Sequence, residues 1–227
     1  MSNLKKLFQA SLPIISTYLI SYLIIFVSAI VYYLLGNSSV DYFISKIPYL
    51  LLMTYLIFII YFLKISPPKI RLKNPLFPYF SLGFSFSIFF NMLFFKISPP
   101  TVPTITIPFF LNLVTSGVIG PIYEELLFRQ NFYNKLTQFN SKTKSLFINT
   151  IFFSLIHLSP LKVIYTFFLG FLLMKVYQKE ENILSPILIH TSANITSLFL
   201  HEYNTYLFII SFINLFLEIY IVFKKLN

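Results

Sequence analysis

Cysteine and tryptophan are both absent from this 227-residue chain, and charge is scarce: 11% of residues are Asp, Glu, Lys or Arg, against 57% apolar. Without cysteine there are no disulfides, no thiolate-ligated zinc, no iron–sulfur cluster and no cysteine nucleophile. The scarcity of charge excludes an ordinary soluble domain, in which roughly a quarter of the residues are charged. A mean hydropathy of +0.78 makes lipid the solvent. No internal repeat and no HExxH pair occurs. The net charge of +10 is no nucleic-acid signature, because the basic residues stand singly or in small groups between apolar runs, as topogenic loop charges do.

What is present is a series of uncharged runs long enough for a bilayer, about 17–25 residues as helix. They predict an all-α, polytopic membrane helix bundle of about eight transmembrane helices, at Pro13–Leu35, Ile47–Leu63, Tyr79–Phe95, Pro108–Tyr133, Leu146–Ser159, Leu161–Gln178, Ile183–Tyr203 and Thr205–Phe223. The first run exceeds a signal-peptide core and lacks a small-x-small cleavage site, so it is expected to be retained. With eight spans, Lys5, Lys6, Lys64, Lys69, Arg71, Lys73, Lys135, Lys142, Lys144, Lys175, Lys179, Lys224 and Lys225 share one face, and Lys46, Lys96 and Lys162 hold the other. The positive-inside rule then places both termini in the cytoplasm. Residues 1–107 read as accessory helices, 108–203 as the functional core, and 204–227 as a last helix with a basic tail. Fifteen Lys against two Arg, with abundant Ile, Phe, Asn and Tyr, suggest an AT-rich bacterial gene and hence a bacterial plasma membrane.

Ionisable groups that cannot reach an interface cost roughly 2.5–3.5 kcal/mol or more at mid-bilayer, so they point to function. Glu124, Glu125 and Arg129 lie in the fourth span, His157 in the fifth, and His190 with Asn194 in the seventh. At about 1.5 Å per residue, Glu124 stands roughly 16 Å from Lys135 and His157 roughly 20 Å from Lys144, with His190 and Asn194 at similar depth. One site in the cytoplasmic half of the bundle is expected. Helical spacing pairs Glu125 with Arg129 and turns Glu124 elsewhere, towards the histidines, while His190 and Asn194 share a face. Gly117, Gly120 and Pro121 predict a bend or a close helix approach. His201, Glu202 and Glu218 sit nearer helix ends and are expected to meet water or headgroups.

A carboxylate beside imidazole is the equipment of a water-activating base, and His190 and Asn194 are donors suited to an oxyanion. Alternatively, Glu124, His157 and His190 form a His₂Glu set that zinc would accept, with Asn194 outside it. A non-catalytic membrane-interaction protein and an ion transporter are the other classes. The last is disfavoured because the fourth and seventh spans do not repeat one another.

The motifs EExxxR at Glu124, Glu125 and Arg129, FxxxH at Phe153 and His157, and HxxxN at His190 and Asn194 occur in that order on separate spans. In this the chain resembles the CPBP family of intramembrane proteases, which includes CAAX prenyl endopeptidases and the bacteriocin-immunity-associated Abi proteins. The resemblance covers about Pro108 to Leu200, and Gln130 stands where many members have Gly. It implies hydrolysis of a peptide bond in a cavity open towards the cytoplasm. Glu124 and His157 would activate water, His190 and Asn194 would hold the oxyanion, and Arg129 would support Glu125. Members are often called metalloproteases, but the missing HExxH favours a metal-free glutamate mechanism with no cofactor, zinc being the alternative. Its partners would be the lipid bilayer and a peptide or protein substrate in or at the membrane, such as a bacteriocin or pheromone precursor or an incoming toxin. A non-catalytic immunity protein retaining the motifs is the rival reading.

Overall fold

The computed structural model describes residues 3–36, 39–68, 70, 75–99 and 107–225, and among these every regular element is helical. They are α1 (Asn3–Leu34), α2 (Val40–Ile65), α3 (Phe77–Ile97), α4 (109–136), α5 (Lys142–Leu155), α6 (Pro160–Glu180), α7 (Leu184–Phe199) and α8 (Thr205–Tyr220, continued by a π turn to Lys225). Five helices, α1, α2, α3, α6 and the run Thr205–Lys224, are long and apolar enough to cross a membrane. The chain is therefore a membrane-embedded helix bundle, with five of the eight expected crossings supported by length and composition. Of the rest, α4 is interrupted by π turns, and α5 and α7 are only 14 and 16 residues long.

Local chemistry sets these limits. Side-chain oxygens of Ser39, Ser141 and Asn204 accept the third amide of α2, α5 and α8, satisfying donors that the first turn leaves free. Pro160 opens α6, where its missing N–H costs nothing. The fifth span was expected to run to Ser159, but α5 stops at Leu155. Leu158 takes a left-handed φ of 57° and Pro160 follows, so His157 lies in the turn beyond the helix rather than on it.

In α4, Pro121 cannot donate to the preceding turn and its ring crowds the carbonyl four residues back. The helix widens into a π stretch at Leu113–Ile119, resumes as α at Gly120–Glu125, and widens again at Leu126–Tyr133. This is the irregularity expected at Gly117, Gly120 and Pro121. Gly120 N–H reaches back to the Thr115 carbonyl, which leaves Ser116 O without a helical donor at residue 120 or 121.

The bundle is organised around α4. Tyr123, wholly buried, stacks on Tyr55 of α2 at 4.6 Å between ring centres and meets Tyr18 of α1 edge-on. On the other side α3 and α7 run in backbone contact: an added Cβ on Gly83 would lie 2.1 Å from Ile189 O. Ser192 Oγ donates to Phe80 O at 2.6 Å, and Ser87 and Ser197 share a 2.9 Å hydrogen bond. Such small and hydroxylated residues are what brings helices together where apolar surface alone gives no drive. Glu218, expected among headgroups, instead hydrogen-bonds Ser81 and ties α8 to α3. His201 and Glu202 are exposed.

The antiparallel packing separates two faces. Lys6 and Lys135 border one hollow, Lys142 another beside Gln178, and Lys179 reaches Val222 O near Lys224, all on one side. On the opposite side Lys46 lies over Tyr42 and Lys96 over Tyr203. Lys69, Arg71 and Lys73, also assigned to the basic face, lie outside the described residues, as does the Lys225 side chain.

Candidate active site

Glu124 and Glu125 sit on the short α segment between the two π stretches of α4, and their side chains diverge as neighbours on a helix must. Glu125 is fully buried. Its Oε2 is 3.0 Å from Arg129 Nε, one turn on, as the spacing predicts. Its other oxygen, Oε1, accepts from His190 Nδ1 at 2.8 Å, a contact that the sequence spacing did not suggest. Glu125 is thus shared between an arginine and a histidine. Glu124 turns the other way, with Oε2 3.7 Å from His190 Nε2. The imidazole of His190 is held between two carboxylates.

Arg129 is also wholly buried, and one ion pair does not satisfy a guanidinium. Nη2 donates to Gly170 O at 3.4 Å, and the group lies 4.3 Å from the centre of the Phe153 ring. Phe153 is the common neighbour of the site. Its ring meets His157 at 5.4 Å and His190 at 5.7 Å, both edge-on, and Gly170 clears its flank, since a Cβ there would come within 2.7 Å of Phe153 Cδ1. This gives the Phe of FxxxH a physical role: it fills the space between both histidines and the arginine.

The tautomers follow from geometry. His157 Nδ1 lies 3.0 Å from the carbonyl of Phe153, which can only accept, so Nδ1 carries the proton. The Glu125 carboxylate likewise places a proton on His190 Nδ1. In both rings Nε2 is the nitrogen left for chemistry. Asn194 Nδ2 donates to Ser116 O at 2.9 Å, taking the carbonyl that Pro121 and the π turn leave open. Its second amide hydrogen remains available.

Glu124, His157, His190 and Asn194 line one cavity of about 310 Å³ between α3, α4, α6 and α7. The sequence reading missed the rest of its wall: Asn91 on α3, Ser116 on α4, Lys162 and Tyr165 on α6, and Ser197 on α7. A signal existed, since Ser197 lies seven residues beyond His190 and three beyond Asn194 on the same helix face. Asn91 Nδ2 donates to Ser197 Oγ at 3.0 Å, which closes that wall. Gln130, the departure from the family pattern, has its own task, since Nε2 donates to Pro67 O at 3.2 Å and ties α4 to the end of α2.

The cavity runs from Glu124 and His190 towards Phe94, Leu161, Lys162 and Leu198, which belong to the ends of α3, α6 and α7 farthest from Lys135, Lys142 and Lys179. The expected opening was towards the basic face. The lining residues lead away from it, because Phe153, Arg129 and the Phe128–Phe132 aromatic pair fill the interior on the basic side. Among the described residues no three His, Asp or Glu side chains are grouped as ligands of one ion, and Glu124 and Glu125 flank His190.

Residues 106–196 match the family model described as "Type II CAAX prenyl endopeptidase Rce1-like". The matched stretch spans α4 to most of α7 and contains all three motifs, so the resemblance drawn from them holds for this part of the chain. No curated protein and no solved structure matches the chain.

Proposed function

We propose, taking residues 106–196 as an Rce1-like domain, that this protein is an intramembrane endopeptidase that hydrolyses a peptide bond of a membrane-associated peptide by glutamate-activated water. The observation that carries the reading is one cavity lined by Glu124, His157, His190 and Asn194 inside that domain. A water held between the Glu124 carboxylate and His157 Nε2 loses a proton to Glu124 as its oxygen attacks the carbonyl carbon. With both ring nitrogens protonated, His190 donates one hydrogen to Glu125 and offers the other to the developing oxyanion, and Asn194 adds its second amide hydrogen. When the C–N bond breaks, Glu124 passes its proton to the leaving amine. Glu125 and Arg129 position His190 and meet no reacting atom.

Peptide termini mapped in producing cells test this. Wild type should generate cleaved termini that disappear in Glu124→Ala, while the variant protein inserts and accumulates normally. Losing one oxyanion donor, as in Asn194→Ala, should slow turnover by about 10²–10³-fold. Full cleavage by Glu124→Ala would overturn Glu124 as the base, and termini that stay the same when the protein is absent would leave a non-catalytic immunity protein in its place. Activity abolished by chelation and restored by zinc would reassign Glu124, His157 and His190 as ligands.

A further inference from the structure

The direction of the cavity bears on where its substrate comes from and on what that substrate carries. Its deep end holds Glu124 and His190, with Glu125 behind His190, and its rim holds Phe94, Leu161, Lys162 and Leu198 on the face where basic residues are few. Positive-rich faces lie in the cytoplasm. The mouth is therefore on the opposite, outer side.

The charge inside the cavity is polarised in the same direction. Lys162 is the one cation in its lining, stands at the rim end away from Glu124, and is exposed, with no described carboxylate within ion-pair distance. Between the two ends, besides His157 and Asn194 of the site, the wall is apolar apart from Asn91, Ser116, Tyr165, Thr166 and Ser197, none of them a carboxylate or a lysine. We propose that the cavity is loaded from the outer face of the membrane and that Lys162 at its rim receives a carboxylate of the incoming peptide, whose apolar segment occupies the passage towards Glu124. This rests on the endopeptidase reading for the fate of the peptide, though not for its route.

The absence of native cysteine makes the test direct, since each introduced thiol is the only one. Single variants Lys162→Cys, Leu198→Cys and Gln138→Cys are treated in intact cells with a membrane-impermeant maleimide. Lys162→Cys and Leu198→Cys should label at once, and Gln138→Cys, on the basic face, only after permeabilisation. The reverse pattern overturns the outward mouth. In purified Leu198→Cys protein, a short peptide of Ala, Ile and Phe with a free terminal carboxylate should protect the thiol about tenfold better than its amide, the low end for a charge-assisted hydrogen bond. Adding Lys162→Gln should erase the difference. Equal protection by acid and amide removes Lys162 from recognition. Labelling needs no hydrolysis, so Glu124→Ala should behave identically, and a failed endopeptidase reading would leave these results unchanged.

Discussion

Helices α1, α2 and α8 and helices α3 and α6 all pass as membrane spans, yet they are built for different neighbours. In the most apolar stretch of α1, α2 and α8, 17%, 11% and 17% of residues are buried within the protein, against 44% and 39% in α3 and α6. The first group faces lipid, where any apolar side chain serves. The second faces other helices, where lipid-like surface gives no advantage and contact depends on small residues and hydrogen bonds. Gly83, Ser87 and Asn91 on α3, and Gly170 on α6, are such residues, and each touches a helix that carries part of the site. The cavity was thus placed where the bundle is least oil-like.

That contrast can be broken from its inner side first. Glu125→Ala removes the shared partner of two buried groups and leaves Arg129 uncompensated, at about 3–5 kcal/mol. The variant should accumulate poorly and unfold early in detergent. Wild-type levels and thermal stability would show that the buried network does not hold the bundle. Gly83→Ala comes next, because its Cβ meets the backbone oxygen of Ile189 and cannot be relieved by a rotamer change. Separating α3 from α7 should cost about 1–3 kcal/mol and displace His190, lowering both melting temperature and cleavage. The smallest effect belongs to the outer group. Leu19→Ala and Ile57→Ala, at positions 65% and 62% exposed, should each change stability by less than about 0.5 kcal/mol. A larger loss at either would mean that the face is covered by protein.

The same contrast explains which features were readable in advance. Apolar run length and flanking lysines gave the helical membrane class and approximate element positions, because those depend on the bilayer and little else. The four cavity residues and the Glu125–Arg129 pair were legible because ionisable groups are costly in lipid and one-turn spacing is local. His157 was placed on a helix that ends two residues earlier, since a left-handed Leu158 leaves no trace in composition. The Glu125–His190 bond, the Ser116–Asn194 bond and the direction of the cavity join residues 65 to 78 positions apart, or depend on how whole helices lean. Glu218 was misjudged for a related reason. Its partner, Ser81, lies 137 residues away and looks unremarkable on its own helix.

The fit of Phe153 against Gly170 has a consequence for how the sequence can change over generations. A methyl at position 170 collides with the Phe153 ring, so it requires a smaller residue at 153, while a smaller residue at 153 strips the cover from Arg129 and both histidines. Neither substitution is acceptable first, and their combination repairs the collision without restoring the cover. The two positions therefore form a mutational lock, which drift on the lipid-facing helices cannot open.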